Sequence, residues 1–244
     1  MKVAVSIEGR MASSRLPGKT MAPILGRPML ALLIERMKRA KLVDEVIVAT
    51  TDRPDDWVIE ELALSMSVKC FRGSNDDVLD RVLKANQKYG TDLIVEVTGD
   101  CPLLDPALVD MVVQKALESG YDYVANNLKL TYPRGLDVRA FPTQTLAEVA
   151  SITNDPSDRE HVSLHIYEHP KKYRVMNLAS DLAQRWHGAR LTVDTREDFQ
   201  VVKTIFEALY PHNPAFSLKE ITVFLERHPE LLEINRHIQQ RAAR

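Results

Sequence analysis

Residues 9–19 bring together Gly9, Arg10, Ser13, Ser14, Arg15, Gly18 and Lys19. A loop of this kind can wrap phosphates, because glycines let the backbone approach and the cations neutralise charge. A solvated basic loop has the same composition, so the loop alone does not decide. Ser13, Gly18, Lys19 and Thr20 come close to P-loop spacing. The first position is serine rather than glycine, however, and Pro17 has no N–H to offer a phosphate, which excludes that motif. Asp100 lies in Thr98-Gly99-Asp100-Cys101-Pro102, and Asp194 in Leu191-Thr192-Val193-Asp194-Thr195; each follows an apolar run. A carboxylate at a strand end suits Mg²⁺, which takes one or two carboxylates plus phosphate oxygens. The competing use of either aspartate is a turn or a helix cap. Arg159, Glu160 and His161 are consecutive, so on a helix they point in different directions and form no catalytic dyad. Arg159 or His161 is expected to shape an acceptor pocket, with Glu160 structural. His161, His165 and His169 recur at metal-binding spacing, but no further ligand motif supports a site and the row reads as a surface stripe.

The elements that would position these residues alternate between strand and helix. Residues 2–8, 45–50, 68–71 and 93–97 read as short apolar strands. Residues 28–40, 55–67, 76–89 and 105–119 read as helices, with Val78, Leu79, Val82 and Ala85 on one face of the third. Such alternation implies βαβ units and a mostly parallel sheet. Ligands in such sheets bind beyond the carboxyl ends of the strands, where the basic loop and both aspartates fall. After Tyr121 the pattern becomes irregular and is broken by Pro133 and Gly135. A helix is expected from about residue 142, another over 159–168, a returning strand over 190–193 and helices from residue 197 onward.

The chain has 244 residues, 45% hydrophobic and 27% charged, with a formal net charge of −2. That balance argues against a general nucleic-acid binder, which would carry a basic excess. Cys70 and Cys101 are far apart and form neither a zinc motif nor a disulfide framework. No run reaches the roughly 18 apolar residues of a membrane span, and the start of the chain is too soon charged for a secretory signal. A cytoplasmic setting, with no membrane partner, is the resulting expectation.

Several motifs carry a resemblance. Arg10-x-x-Ser13-Ser14-Arg15-Leu16-Pro17-Gly18-Lys19 resembles the signature of the CMP-sugar synthetases, which include the acylneuraminate and 3-deoxy-manno-octulosonate cytidylyltransferases. Arg72-Gly73-Ser74 with Asp77-Val78-Leu79-Asp80-Arg81, the motif around Asp100, Tyr132-Pro133-x-Gly135-Leu136-Asp137-Val138, Arg159-Glu160-His161-Val162 and Arg190-Leu191-Thr192-Val193-Asp194 look most like the group named for spore coat polysaccharide biosynthesis protein F. The resemblance runs from about residue 2 to residue 210. It implies a Rossmann-like nucleotidyltransferase fold of the glycosyltransferase-A type, with a mostly parallel sheet flanked by helices, in a single domain with an inserted arm around 121–188. It also implies transfer of CMP from CTP to an acidic sugar or similar anionic acceptor, with Mg²⁺ as cofactor and pyrophosphate as product, in surface polysaccharide or glycan biosynthesis.

By this resemblance Arg10, Ser13, Arg15 and Lys19 take the triphosphate, while Arg72, Gly73, Ser74 and Asp77 border the cytidine. Asp100 and Asp194 take the metal, and Arg15, Lys19 and Asp100 are the catalytic set. Arg159, His161 and Asp137 are assigned to the acceptor side. Family members often dimerise through the arm, and Tyr121, Tyr123, Tyr132, Tyr167, Tyr173 and Trp186 would supply aromatic interface residues, so a homodimer is expected. The alternative use of those rings is to fill the chain's own core. The sequence departs from the family pattern at Glu8, where glutamine is expected, at Glu96, where arginine is expected, and at Arg134 and Arg139, where acidic residues are usual. The reversals at Glu96, Arg134 and Arg139 could compensate one another or mark a different acceptor. Use of another nucleoside triphosphate, or nucleotide binding without turnover, is the alternative to cytidylyl transfer.

Overall fold

The computed structural model describes residues 1–180, 186 and 188–241. The β-branched run VAVSIE forms β1 (Val3–Glu8), buried along nearly its whole length. A short antiparallel pair, β2 (Pro23–Ile24) and β3 (Arg27–Pro28), leads into α1 (Met29–Met37). β4 (Glu45–Thr51), α2 (Trp57–Ser65), β5 (Lys69–Gly73), α3 (Val78–Lys88), β6 (Leu93–Thr98) and α4 (Pro106–Ser119) follow at the expected places. Two helix starts are set by local chemistry. The Asp77 carboxylate accepts the Asp80 N–H at 2.9 Å to cap α3, and Asp105 accepts the Ala107 N–H at 2.9 Å to cap α4, with Pro106 in its first turn.

The later half adds β7 (Tyr123–Ala125), β8 (Arg139–Pro142), α5 (Thr143–Ile152), α6 (Pro156–Glu160), α7 (Leu164–Glu168) and β9 (Val175–Asn177). Three further helices, Arg196–Leu209, Leu218–Arg227 and Glu230–Ile234, complete the described chain. The sheet order is β5-β4-β1-β6-β8-β7-β9. The β1, β4, β5 and β6 strands run parallel; β8 lies antiparallel to β6 and to β7, and β9 is parallel to β7. The chain leaves β1 toward β4 and β5 and later returns on its other flank as β6. The switch point of the sheet therefore lies between β1 and β6, which is where α/β sheets open a crevice for ligands.

Alternation along β1 divides the core between the two faces. Val3, Val5 and Ile7 pack with α1, α4 and the late helices, while Ala4 packs with α3, α5, Tyr123 and Phe141. Glu8 stands at the carboxyl end of β1, one step past Ile7, beside the switch point.

Three regions differ from the sequence reading. Residues 159–168 are not one helix: Val162 takes a φ of 42° and separates α6 from α7. The histidine row is broken accordingly. The His165 and His169 rings stack at 4.0 Å, whereas His161 ends α6 and faces elsewhere. Residues 190–193 form no ladder; a single bridge joins Arg190 to Arg134, and the segment divides its backbone hydrogen bonds between Arg134 and Asp100. Residues 139–142, at the end of the irregular stretch and the expected start of a helix, form the antiparallel strand β8. Of the proposed arm over 121–188, residues 181–185 and 187 lie outside the described residues. Its aromatic residues serve the chain's own core: Tyr123, Tyr173 and Trp186 are buried, and Tyr121, Tyr132 and Tyr167 pack against buried clusters.

Candidate active site

Lys19 stands at the junction of three separate stretches of chain. Its ammonium donates to Asp100 Oδ2 at 2.9 Å, to the Val193 carbonyl at 2.6 Å and to Asp194 Oδ1 at 3.3 Å, which uses all three of its donors. Arg15 adds an ion pair to Asp194 Oδ1 at 2.7 Å. Burial works to lower the Lys19 pKa, but Asp100 and Asp194 outweigh it and hold the ammonium above its usual range. Burial would raise Asp100, yet Lys19 and the hydrogen bonds of Thr98 and Cys101 hold it below the usual carboxylate range.

Backbone contacts bring the two aspartates together. The Val193 N–H donates to the Asp100 carbonyl at 2.8 Å, and the Thr192 hydroxyl donates to that same oxygen at 3.3 Å. On the other side, the Leu191 N–H donates to the Arg134 carbonyl at 2.7 Å, and the Arg134 N–H to Ala189 at 3.0 Å. Gly135 makes this approach possible: a Cβ there would stand 2.4 Å from the Thr192 nitrogen, and its φ is 93°. Gly99 has the matching role beside β1, where its N–H reaches the Glu8 carbonyl at 2.8 Å and a Cβ would stand 2.9 Å from that oxygen.

Neither aspartate has the capping use that the sequence left open. The α4 helix is capped by Asp105, and the helix Arg196–Leu209 by Thr195, in a reciprocal capping box with Asp198. Asp198 is fully buried and holds Arg190 through contacts at 3.2 Å, while it accepts the Asp194 N–H at 3.0 Å. Arg190 then reaches Asp194 Oδ2 at 3.1 Å. This supporting pair was not singled out from the sequence, although the spacing of Thr195 and Asp198 is a readable capping-box signal.

A cleft of about 330 Å³ opens at this edge. Arg10, Ser13, Arg15, Lys19, Asp100, Asp194 and His161 line it, so the loop, both aspartates and one of the acceptor-side residues come together. Glu8, Arg81, Thr98, Gly99, Glu160, Gln240 and Arg241 also line it, so Glu160, expected to be structural, stands in the cleft wall. Arg72, Gly73, Ser74, Asp77, Asp137 and Arg159 do not form its wall. Arg72 donates to the carbonyls of Thr51 and Arg53, at 3.1 and 2.8 Å, and so ties down the turn after β4. The Gly73 carbonyl accepts the Asp52 N–H at 2.8 Å. Ser74 Oγ accepts the Asp77 N–H at 3.0 Å and sets the turn that Asp77 continues as the α3 cap. Arg159 is spent on the Ala150 carbonyl at 2.6 Å, on the Thr153 carbonyl at 2.7 Å and on Asp77 at 3.2 Å. Two links join this group to the cleft: Arg10 Nη1 donates to the Asn75 carbonyl at 3.2 Å, and Arg81, in the cleft wall, donates to the Ser74 carbonyl.

Beneath the cleft lies a set of acidic and basic groups that includes three of the departures from the family pattern. Glu96 is buried and pairs with Arg139 at 2.8 Å across the β6–β8 register. Their opposite charges balance each other. Glu8 is pushed up to about 8, first by burial and then by Glu96, against the opposing pull of Arg81 and Arg139. Asp137 is also raised by burial, with Arg139 and Arg134 opposing and Asp100 adding to the rise. Both cysteine thiols are free, buried and raised by burial, Cys70 to about 11, so neither is an activated nucleophile.

Among the described residues, no group of three or more His, Cys, Asp or Glu side chains gathers as a metal site. Asp100 and Asp194 nonetheless fit Mg²⁺: both are hard oxygen donors, and a single cationic nitrogen already bonds to both. No helix among the described residues is long and apolar enough to cross a membrane.

Comparison with known proteins identifies the family. A family model described as cytidylyltransferase matches residues 4–238. Spore coat polysaccharide biosynthesis protein SpsF of Bacillus subtilis is 31% identical over 229 residues, covering 92% of this chain and 94% of that protein. The 3-deoxy-manno-octulosonate cytidylyltransferase of Geobacter metallireducens is 28% identical over 244 residues, covering 88% of this chain and 94% of the relative. The solved structure of a cytidylyltransferase from Leptospira borgpetersenii superposes with a TM-score of 0.89 at 31% identity, over 99% of this chain and all of that one. With this family match, the Rossmann-like sheet and the cleft at its switch point, the chain belongs to the cytidylyltransferases and is a nucleotidyltransferase.

Proposed function

We propose that this enzyme uses Mg²⁺ to transfer CMP from CTP to an acidic sugar or a similar anionic acceptor, releasing pyrophosphate, in surface polysaccharide or glycan biosynthesis. The observation that carries the proposal is the meeting of Lys19, Asp100 and Asp194 at the switch point. Relatives named for spore coat polysaccharide biosynthesis and for 3-deoxy-manno-octulosonate support the acceptor class and the pathway.

An acceptor oxygen attacks the α-phosphorus, one P–O bond forms, and the α–β phosphoanhydride breaks as pyrophosphate leaves with the electron pair. Such transfer depends mainly on positioning and charge neutralisation. Asp100 and Asp194 would hold Mg²⁺, which when bound neutralises phosphate charge and can lower the pKa of an acceptor hydroxyl. Arg10, Ser13, Arg15 and Lys19 bind the triphosphate. Lys19 and Arg15, ion-paired with the aspartates, turn to the charge that develops on the leaving pyrophosphate. Arg72, Gly73, Ser74 and Asp77 shape the cytidine border through the turn that Arg10 grips at Asn75. His161, Asp137 and Arg159 serve the acceptor side, and Arg159 also ties that side to the cytidine border through Asp77. An acceptor whose attacking oxygen is itself ionised, as in a carboxylate, phosphate or phosphonate, needs no separate general base, whereas a sugar hydroxyl releases its proton to solvent as the P–O bond forms.

Pyrophosphate release with CTP and Mg²⁺, measured across a panel of acidic sugars and phosphonates, tests the proposal. Release with at least one acceptor, and with CTP ahead of UTP, GTP and ATP, is expected. Preference for another nucleotide, or CTP binding without release on any acceptor, would contradict it.

A further inference from the structure

Two residues in the cleft wall, Gln240 and Arg241, come from beyond the stretch matched by the family model. They are held there by a chain of contacts. After the helix Glu230–Ile234, Asn235 is buried, and its amide donates to Asp198 Oδ1 at 2.9 Å and to the Arg190 carbonyl at 3.1 Å. The Ile238 N–H closes a turn on the Asn235 carbonyl at 3.0 Å. Gln240 Oε1 then accepts from Arg190 Nη1 at 2.9 Å. One guanidinium, that of Arg190, thus serves Asp194, Asp198 and Gln240, so this late segment is tied to the groups that hold the candidate metal carboxylate.

Arg241 follows directly, and its Nη1 lies 3.5 Å from Ser14 Oγ, within the basic loop between Ser13 and Arg15. The other cations of the cleft are engaged more firmly. Arg15 and Lys19 are ion-paired with aspartates, Arg10 grips the Asn75 carbonyl, and Arg81 donates to the Ser74 carbonyl. The Arg241 hydrogen bond, by contrast, is to a neutral hydroxyl at the limit of reach. A planar guanidinium placed this way beside a phosphate-type loop is suited to a multiply charged phosphate.

We propose that Arg241 is a further substrate-binding residue, which closes over the basic loop and binds the β- and γ-phosphates of the incoming nucleotide. This rests on the cytidylyltransferase reading, since it requires that the loop hold the triphosphate. Arg241 is exposed, so its substitution leaves the packing of the chain alone.

The test is equilibrium binding of CTP, CMP and inorganic pyrophosphate, each with Mg²⁺, to the unmodified protein and to Arg241→Ala and Arg241→Lys. One charge-assisted hydrogen bond on an exposed side chain predicts that Arg241→Ala weakens CTP and pyrophosphate about 5- to 10-fold. CMP, which lacks the β- and γ-phosphates, is expected to bind unchanged, and Arg241→Lys to recover part of the loss. Unchanged affinity for CTP and pyrophosphate, or an equal loss on CMP, overturns the proposal while the cytidylyltransferase reading stands. If the unmodified protein binds neither CTP nor pyrophosphate, both fall together.

Discussion

Lys19 shows how little spare charge the free site has. Its three donors all end on oxygens of the facing loops, so the two carboxylates share one cation of the chain's own. Removing either carboxylate should therefore disturb turnover far more than folding. Asp100→Asn and Asp194→Asn are each expected to abolish most pyrophosphate release with little change in thermal midpoint. The double variant should be hardly worse than either single one, as for groups acting as a unit. Steady-state kinetics of the three variants check this; independent, multiplying losses would count against a shared role. Both aspartates were legible in the sequence because each follows an apolar run. Their partners were less so. Arg190 and Asp198 belong to a motif and a capping pattern, but only the folded chain points Arg190 at Asp194.

Glu8 carries a second residue-scale prediction. Its pKa is raised in the folded protein to about 8, by burial and by Glu96, with Arg81, Arg139 and Asp100 also facing it. The folded state then holds a proton that the unfolded chain releases at ordinary carboxylate pH. By linkage, this group's contribution to stability is full below the unfolded pKa and declines as pH rises toward the folded one. Thermal midpoints should accordingly fall between about pH 5 and pH 8, and Glu8→Gln, which cannot ionise, should flatten that slope. An unchanged slope in the variant would remove Glu8 as its source.

At the scale of elements, the β6–β8 register carries a partly buried ion pair. Glu96 and Arg139 meet at 2.8 Å where the strands run antiparallel. Glu96→Gln removes the carboxylate that Arg139 pairs with and leaves it only the more distant Asp137 and Glu8, and a loss of about 1 to 3 kcal/mol in unfolding free energy is expected. Replacing both with apolar residues of similar size should cost much less. Denaturant unfolding of the two variants compares them; equal losses would show that the pair does not act as a pair.

The same scale explains what was and was not readable. Strands and helices up to α4 follow local periodicity and caps such as Asp77 and Asp105, which act within a few residues. β8 and the segment 190–193 are defined by partners far away in sequence, so local pattern leaves 139–141 irregular and predicts a strand over 190–193 where no ladder forms. The break at Val162 likewise follows from tertiary packing, since Val162 is fully buried despite its positive φ. Gly135 was visible as a pattern breaker, but its purpose was not. Gly135→Ala should push the segment 189–194 away from Asp100 and lower activity along with thermal midpoint, because a Cβ there would overlap the Thr192 backbone. Wild-type kinetics in that variant would mean the segment can relax without moving Asp194.

At the scale of the whole molecule, the aromatic residues that suggested an interface fill the chain's own core. The arm instead exposes Leu128 and Leu130, and a homodimer through this region remains our proposal. Light scattering at micromolar concentration should give the dimer mass, and a monomer would contradict it. The central claim is different in kind. It is that the sheet's switch point makes one site from the loop after β1, the turn after β6 and the segment before the helix Arg196–Leu209. A crystal structure with CTP and Mg²⁺ tests this most directly. The account predicts one Mg²⁺ bound by both Asp100 and Asp194, directly at about 2.0 to 2.1 Å or through a bridging water, with Lys19 turned onto phosphate oxygens. Carboxylates too far apart to reach one ion, or a triphosphate bound away from residues 9–19, would contradict it.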